Sequence, residues 1–288
     1  MTGVPSAEVS SAHAPEVDAA SYARHFGLIV VGDEILSGKR EDKHLRKVVD
    51  LLAARGLALA WAEYVGDEPA RITATLRRVF SASDVVFCTG GIGATPDDHT
   101  RQCAAAALGV ALELHPEAER LIRERMQDVA REQGVPYEPD RPDNVHRLNM
   151  GVFPTGAALI PNPYNKIPGF SVGDVHFLPG FPVMAWPMME WLLDTRYRNL
   201  HRQGAWRERS VIVFGAMEAV LTPLMQRIEA EHPSVRVFSL PSVDHPQLGR
   251  HIDLGVKGPP EAVEAAYAAL RQGLLAMGQR LGAEIVRP

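Results

Sequence analysis

The sequence Val85-Val86-Phe87-Cys88-Thr89-Gly90-Gly91-Ile92-Gly93-Ala94-Thr95-Pro96-Asp97-Asp98-His99-Thr100 passes from an apolar run, through a glycine-rich turn, into a helical pattern over 101–108. A strand that ends in such a turn and opens a helix presents free backbone N–H groups where the helix dipole favours anions. Glycine also lets the backbone approach a phosphate that a Cβ atom would obstruct. We therefore interpret Gly90, Gly91 and Gly93 as a phosphate-binding loop. A tight strand–helix connection without a ligand is the alternative that this stretch alone leaves open.

The segments before this stretch alternate between strand and helix patterns. An apolar strand over 26–31 ends at Gly32-Asp33-Glu34, a helical pattern follows over 42–55, and a second strand covers 57–65. This alternation predicts a parallel sheet covered on both faces by helices. Ligands of such sheets lie beyond the carboxyl ends of the strands. We therefore expect the residues after the first strand and the glycine-rich turn to share one site.

The segments after this stretch begin with a charged amphipathic helix over 115–134. Two further strands, 157–160 and 175–178, are separated by the proline-rich segment 161–169, which predicts a rigid loop without regular structure. A second strand–turn–helix junction follows at Leu178-Pro179-Gly180-Phe181-Pro182, and its helix runs to about residue 196.

A new alternation starts after a polar linker at 200–207. It reads strand, helix, strand, strand, helix, strand, with segments at 210–214, 216–231, 235–240, 251–256, 259–277 and 284–286. This order is that of a ferredoxin-like domain. We therefore expect an α/β domain over 23–196, a small βαββαβ domain over 205–288, and a disordered tail rich in Ala, Ser, Pro and Glu over 1–22.

Composition narrows the classes of partner. The chain has 288 residues and a net charge of −5, which argues against a general nucleic-acid-binding protein. It contains no apolar run of transmembrane length and no basic, apolar leader pattern, so we expect a cytoplasmic protein that does not bind membranes. The two cysteines, Cys88 and Cys103, are interpreted as reduced apolar residues. The expected partner is a small-molecule phosphate ligand.

Four carboxylates are predicted at the same sheet edge as the glycine-rich turn: Asp33, Glu34, Asp97 and Asp98. They would repel a bound phosphate unless a divalent cation lay between them, and Mg²⁺ is typically held by one or two carboxylates together with phosphate oxygens. We therefore predict a metal-bridged phosphate site with Asp33, Asp97 and Asp98 as metal ligands. The alternative is that Asp97 and Asp98 cap the following helix while Asp33 and Glu34 are solvated.

Hydroxyl and imidazole groups near the turn have two interpretations as well. Thr100 could contact a metal or phosphate, or hydrogen-bond the local backbone. His44 and His99 are candidate general bases, but a histidine in a first helical turn is expected to be exposed.

The quoted stretch Thr89–Thr100, together with Val31-Gly32-Asp33-Glu34-Ile35-Leu36-Ser37-Gly38, resembles the signature of the molybdopterin-binding domain of molybdenum cofactor biosynthesis. Pro161-Asn162-Pro163, Pro168-Gly169-Phe170 and Leu178-Pro179-Gly180-Phe181-Pro182 resemble two further loops of one branch, competence/damage-inducible protein A. The resemblance covers roughly 26–194, and the second domain is similar to the small domain that follows in that branch.

The resemblance implies a three-layer α/β/α fold that binds molybdopterin or a nucleotide phosphate at the glycine loop. One branch transfers an adenylyl group to molybdopterin, and the competence branch performs metal-dependent hydrolysis of a pyrophosphate such as ADP-ribose. It implies Asp33 and Asp98 as catalytic acids. It implies ligand-binding roles for Gly32, Glu34, Thr89, Gly90, Gly91, Gly93, Thr95, Thr100, Asn162, Pro179, Gly180 and Pro182. Family members form dimers or trimers, so a homo-oligomer is expected.

One position separates the two branches, and the chain departs from the family pattern at two others. Asp97 stands where the biosynthesis branch has Arg, which favours a metal-bridged mode and the competence branch. Lys39 to His44 replaces an Asn-rich segment, and Val183-Met184-Ala185-Trp186 replaces an Arg-Glu pair. Since two charges beside the expected pocket are lost, a non-catalytic ligand-binding or scaffold protein is the alternative function.

Overall fold

The computed structural model describes residues 24–201 and 207–287. The tail predicted over 1–22 lies outside them. The strands are β1 (Phe26–Val31), β2 (Leu59–Val65), β3 (Val85–Thr89), β4 (Leu112–Leu114), β5 (Val152–Pro154), β6 (Ala158–Ile160), β7 (Gly169–Val172), β8 (Val175–Leu178), β9 (Arg207–Phe214), β10 (Arg236–His245), β11 (Gly249–Gly258) and β12 (Arg280–Arg287). The helices are α1 (Asp33–Leu36), α2 (His44–Ala53), α3 (Pro69–Phe80), α4 (Thr100–Leu108), α5 (Pro116–Glu132), α6 (Pro142–Arg147), α7 (Pro182–Thr195), α8 (Glu218–Glu231) and α9 (Pro260–Ala276).

The described chain divides into two compact units. The first comprises 24–44 and 59–188, and the second comprises 45–58, 189–201 and 207–287. The domain bounds expected from the sequence, 23–196 and 205–288, stay a prediction. Among the described helices, none has both the length and the apolar composition needed to cross a membrane.

The first unit is organised around a sheet with the strand order β2-β1-β3-β8-β7-β6. Strands β2, β1, β3 and β8 are parallel, which confirms the predicted α/β architecture. Every residue of β1 is buried, as expected for a central strand covered on both faces. The chain leaves β1 toward β2 on one side, and β3 lies on the other side, so the loops after β1 and β3 diverge. A crevice at this switch point is the usual ligand position in open α/β sheets.

The far edge of this sheet differs from the wholly parallel prediction. Strands β7 and β8 pair in antiparallel fashion, and so do β6 and β7. The connection between β7 and β8 is the two-residue turn Gly173-Asp174, and so short a connection allows only a hairpin. Strand β7 also begins at Gly169, where the sequence predicted the end of an irregular loop.

The start of α4 agrees to within one residue with the helical pattern over 101–108. The helix begins at Thr100, so Pro96, Asp97 and Asp98 lie in the preceding loop rather than in its first turn. The segment between α5 and β6 contains structure that was not predicted: the short helix α6, and strand β5, which pairs with β4 as a separate antiparallel ladder.

The second unit contains the predicted βαββαβ order. Its sheet has the strand order β10-β11-β9-β12 with antiparallel pairing throughout, which is the ferredoxin-like arrangement. Its core joins apolar residues of the sheet and of α8 and α9, among them Val211, Val213, Leu254, Leu221, Ile228, Tyr267 and Leu270.

Candidate functional site

A cavity of about 580 Å³ lies in the first unit at the carboxyl ends of the parallel strands. Its walls come from the loops after β1, β2, β3 and β8 and from the loop 161–168. A volume of this size suits an ordinary small-molecule ligand. The predicted site residues that line it are Gly32, Glu34, Gly90, Gly91, Gly93, Thr95, Asp97, Asp98, Asn162, Pro179 and Gly180.

The glycine loop, residues 90–95, is held through its carbonyl groups. The Thr100 hydroxyl donates to the Gly90 carbonyl at 3.1 Å, and the Thr100 N–H donates to the Gly91 carbonyl at 3.0 Å. The Arg101 guanidinium donates to the Gly93 carbonyl at 2.5 Å. Neither Thr100 nor Arg101 lines the cavity, so these carbonyls face away from it.

The N–H groups of the same peptide units therefore face the cavity. In a trans peptide the C=O and the following N–H point in opposite directions, and the described residues contain no cis peptide bond. The N–H groups that follow the bonded carbonyls are those of Gly91, Ile92 and Ala94. Within residues 24–201 and 207–287, none of these three groups donates to a protein acceptor. Successive unpaired N–H groups form a concavity that binds anions.

The glycines have a different role from the one the sequence indicated. A Cβ atom on Gly90 would collide with the Val31 carbonyl, and one on Gly91 would collide with the Thr100 hydroxyl. Both glycines also have positive φ angles, 96° and 68°. Protein atoms, rather than the space for a ligand, therefore exclude side chains here. The sequence led us to expect that a Cβ atom would obstruct the phosphate itself. The structure corrects this expectation, because the Cβ atom would collide with protein atoms instead.

Of the two roles considered for Thr100, the structure shows the hydrogen bond to the local backbone. Its side chain is fully buried and bonds Gly90, so the described structure does not bring its hydroxyl to the cavity.

Asp98 does not cap α4, because its Oδ2 accepts hydrogen bonds from the N–H and the hydroxyl of Thr95, at 2.8 and 2.5 Å. The residue at the N-cap of α4 is His99, which makes no side-chain capping bond. Because neither Asp97 nor Asp98 lies at the N-cap or in the first turn of α4, the capping alternative for the acidic pair is wrong.

Asp33 and Asp67 connect the loops after β1 and β2. The Asp33 N–H donates to Asp67 Oδ2 at 2.9 Å, and the Asp67 N–H donates to Asp33 Oδ1 at 3.2 Å. Asp67 lines the main cavity, whereas Asp33 lines a separate depression beside α3. Asp67 is not among the site residues predicted from the sequence. The signal that could have found it is the one used for Asp33, its position just after a parallel strand.

The carboxylates of this edge affect one another. Burial raises the pKa of Asp67, and the neighbouring charges of Asp33, Glu34 and Asp97 raise it further, against the lowering effect of the Asp33 hydrogen bond. No group of three or more Asp, Glu, His or Cys side chains among the described residues is arranged to hold a metal ion. Metal binding by Asp33, Asp97 and Asp98 stays a prediction.

The loop 161–168 is shaped by asparagine side chains. Asn162 is buried, and its Nδ2 donates to Asn165 Oδ1 at 2.8 Å and to the Ile167 carbonyl at 2.9 Å. Asn165 in turn donates to Met184 Sδ at 3.3 Å. Met184 lines the cavity, so one position of the family's replaced Arg-Glu segment contributes an apolar wall.

The opposite rim carries an aromatic ring and a cation. Phe181 is 54% exposed, and the Arg40 guanidinium lies over its ring, 5.8 Å from the centroid. A smaller adjoining cavity of about 390 Å³ is lined by Thr89 and Pro182 as well as by Arg40. His44 also lines it and is buried, contrary to the expected exposure, because its Nε2 donates to the Gly180 carbonyl at 3.0 Å.

Comparison with known proteins agrees with this geometry. Residues 27–199 match the family model described as "Probable molybdopterin binding domain". The chain therefore belongs to this molybdopterin-binding family. The predicted resemblance to its CinA-like branch is confirmed by several curated relatives and by one solved structure.

A CinA-like protein from Anaeromyxobacter sp. is 36% identical over 174 residues, covering 59% of this chain and 40% of that protein. A CinA-like protein from Geobacter metallireducens is 30% identical over 90% of this chain and 60% of its own length. A protein from Pyrobaculum calidifontis is 30% identical, covering 85% of this chain and 92% of that protein. The crystal structure of CinA from Thermoplasma acidophilum has a TM-score of 0.50 and 26% identity over 59% of this chain and 98% of its own.

Proposed function

We propose that the cavity binds a pterin or nucleotide carrying a phosphate or pyrophosphate, together with a divalent cation such as Mg²⁺, and that it hydrolyses a pyrophosphate such as ADP-ribose. Molybdopterin is the alternative ligand that the family suggests. The observation that carries the proposal is that Gly91, Ile92 and Ala94 line the cavity and that their N–H groups have no protein acceptor among the described residues.

The acidic side of the cavity supports a cation beside the anion. Glu34, Asp67, Asp97 and Asp98 all line the cavity, and the pKa of Asp67 is raised first by burial and then by the charges of Asp33, Glu34 and Asp97. Carboxylate oxygens are suitable ligands for Mg²⁺, which completes its shell with phosphate oxygens and water. A metal in this position would neutralise charge that develops on a phosphoryl oxygen.

The protein's own contribution to hydrolysis is positioning. The glycine loop would bind the non-bridging oxygens of one phosphate, and the apolar wall that includes Met184 and Ile167 would contact the heterocycle. Water would add to one phosphorus as the bridging P–O bond breaks, so that ADP-ribose and water give AMP and ribose 5-phosphate. Asp33 and Asp98 keep the catalytic roles that the family resemblance implies.

Product analysis tests this proposal. The full chain is incubated with ADP-ribose and with FAD in the presence of Mg²⁺ or Mn²⁺, and AMP is quantified by chromatography. We expect metal-dependent AMP release that falls at least tenfold in Asp98→Asn and is unchanged in Asp140→Asn, a matched change of an exposed acid outside the cavity. AMP release that is equal in wild type and Asp98→Asn would show that the catalytic acid is misassigned.

A non-catalytic binding protein is the second candidate, favoured by the apolar Met184 in the cavity wall. It predicts tight molybdopterin binding with no turnover of any pyrophosphate. Adenylyl transfer to molybdopterin is less well supported, because Asp97 adds negative charge where that branch carries Arg.

We also propose that the protein is a homo-oligomer, as its family resemblance implies. Light scattering at micromolar concentration tests this point. A mass near 31.5 kDa, that of one chain, would contradict it.

A further inference from the structure

Arg101 lies directly behind the glycine loop. Its side chain is only 4% exposed. One terminal nitrogen donates to the Gly93 carbonyl at 2.5 Å, and the other donates to the Asn149 carbonyl. The guanidinium therefore joins the glycine loop to the turn Leu148–Gly151.

The contact with Gly93 also fixes a donor that faces the cavity. Because the peptide between Gly93 and Ala94 is planar and trans, holding its carbonyl toward Arg101 holds the Ala94 N–H in the opposite direction. The neighbouring carbonyl of Ala94 is bonded as well, by His146 Nε2 at 2.6 Å. This end of the loop is thus held from behind by side chains of α4 and α6.

Arg101 also places a positive charge beside a loop that is otherwise surrounded by acids. Within the described residues, no carboxylate is hydrogen-bonded to its guanidinium. Burial lowers the pKa of this guanidinium and the charge of Asp98 opposes that effect, but an arginine remains charged at any physiological pH. The anion-binding N–H groups therefore have a permanent cation behind them.

We infer that Arg101 is a positioning residue for the bound phosphate: it orients the Ala94 N–H by clamping the Gly93 and Asn149 carbonyls. The inference rests on the proposed function. The clamp requires a planar fork with two donors at fixed separation, which a lysine ammonium does not provide. A positive charge at this position is therefore not enough to hold both carbonyl groups.

Two variants separate the clamp from the charge. Arg101→Lys keeps the charge and loses the fork, and Arg101→Met loses both. Arg120→Met, on the exposed face of α5, is the matched control for loss of an arginine. Affinity for inorganic pyrophosphate with Mg²⁺ is measured by calorimetry, thermal unfolding reports stability, and amide NMR shifts report the Ile92 and Ala94 N–H groups.

We expect pyrophosphate affinity to fall at least tenfold in both Arg101 variants and less than twofold in Arg120→Met. In Arg101→Lys the affinity should fall while the protein remains folded, and the Ala94 amide should lose its response to pyrophosphate. A merely structural role would change the melting temperature without this selective loss.

The outcomes distinguish the inference from the proposed function. If the wild type binds no pyrophosphate, the proposed function fails and the inference fails with it. If the wild type binds pyrophosphate and Arg101→Lys binds it equally well with the same Ala94 response, only the role of Arg101 as a clamp is overturned.

Discussion

Two loops line the same cavity and use their backbone in opposite ways. The glycine loop, residues 90–95, has bonded carbonyls and leaves the N–H groups of Gly91, Ile92 and Ala94 without protein acceptors in the described chain. In the loop 161–168, N–H groups are bonded internally: Tyr164 to the Asn162 side chain, and Ile167 to the Asn165 side chain. The first loop retains donors for a ligand, whereas the second uses its donors to keep its own shape.

Under the proposed function, the two loops would contact different parts of the ligand. The glycine loop offers polar contacts to an anion, and the loop 161–168 offers a stable wall against which an apolar group can lie. Lys166 illustrates the rigidity of the second loop, because it holds a φ of 65° without being a glycine. Its ammonium is anchored to Asp128 of α5 at 2.7 Å.

The largest effect on anion binding is expected from Gly91→Ala. The added Cβ would collide with the Thr100 hydroxyl and displace the loop. Gly109→Ala is a close control, since Gly109 has nearly the same φ, 70° against 68°, and open space around its Cβ position. We expect pyrophosphate affinity to fall about 100-fold in Gly91→Ala. In Gly109→Ala we expect unchanged affinity and a stability loss of about 1 kcal/mol, the strain of a left-handed non-glycine residue. Equal effects of the two changes on affinity would remove the special role of the glycine loop.

A smaller effect is expected from Asp67→Asn. The amide oxygen can still accept the Asp33 N–H, but one negative charge is lost beside the expected cation. We expect affinity for Mg²⁺-pyrophosphate to fall about tenfold, while metal-free affinity rises or stays the same. Calorimetry with and without Mg²⁺ measures both. A loss of affinity that does not depend on metal would contradict a cation at this edge.

The same variant has a pH signature. The pKa of Asp67 is higher in the folded protein than in the unfolded chain. At pH values between these two pKa values the folded protein binds more protons, so its stability falls as the pH increases through this range. Asp67→Asn removes this loss, so without ligand we expect a melting temperature about 1–2 °C above wild type at neutral pH. The difference should vanish below the ordinary aspartate pKa. A neutral-pH melting temperature below that of the wild type would contradict the raised pKa of Asp67.

Asn162→Ala is expected to affect stability more than anion binding. The change removes the hydrogen bonds to Tyr164, Asn165 and Ile167, and we expect a loss of about 2–3 kcal/mol in the free energy of unfolding. Affinity for inorganic pyrophosphate should fall only about threefold, while a ligand with a heterocycle should lose more. Denaturant unfolding and parallel titrations with pyrophosphate and ADP-ribose measure these effects. A larger loss for pyrophosphate than for ADP-ribose would reverse the assignment of the two loops.

The smallest effect is expected from His44→Ala. The imidazole donates to the Gly180 carbonyl and lines only the adjoining cavity. We expect pyrophosphate affinity within twofold of wild type and a stability loss of about 1–2 kcal/mol, the cost of leaving that carbonyl unpaired. A tenfold loss of affinity would instead make the adjoining cavity part of the phosphate site.

The sequence predicted the features that local pattern controls. Strand β1 is continuous in apolar residues and was located at its observed bounds, and the turn after β3 was recognised by its glycines. Strand β7 was missed because Gly169-Phe170-Ser171-Val172 follows a proline-rich loop and has no clear alternation.

The side-chain contacts that orient the site could not be predicted from local sequence pattern. Arg101 occupies an ordinary helical position in the sequence, and only the fold shows that its side chain points back to Gly93. The reciprocal bonds of Asp33 and Asp67 likewise depend on two strands becoming neighbours. The direction of a backbone N–H is set by such distant contacts, so composition and spacing cannot reveal it.

The support behind the glycine loop also constrains the order in which the site can form. Asn149 and His146 are 48 and 52 positions along the chain from their respective partners, Arg101 and Ala94. Contacts between such distant residues form late, because the intervening chain must first lose its conformational freedom. During synthesis the glycine loop, α4 and the strands before it emerge from the ribosome well before residue 149. Strands β1, β2 and β3 are therefore available for pairing before His146 and Asn149, which hold the glycine loop from behind, have emerged.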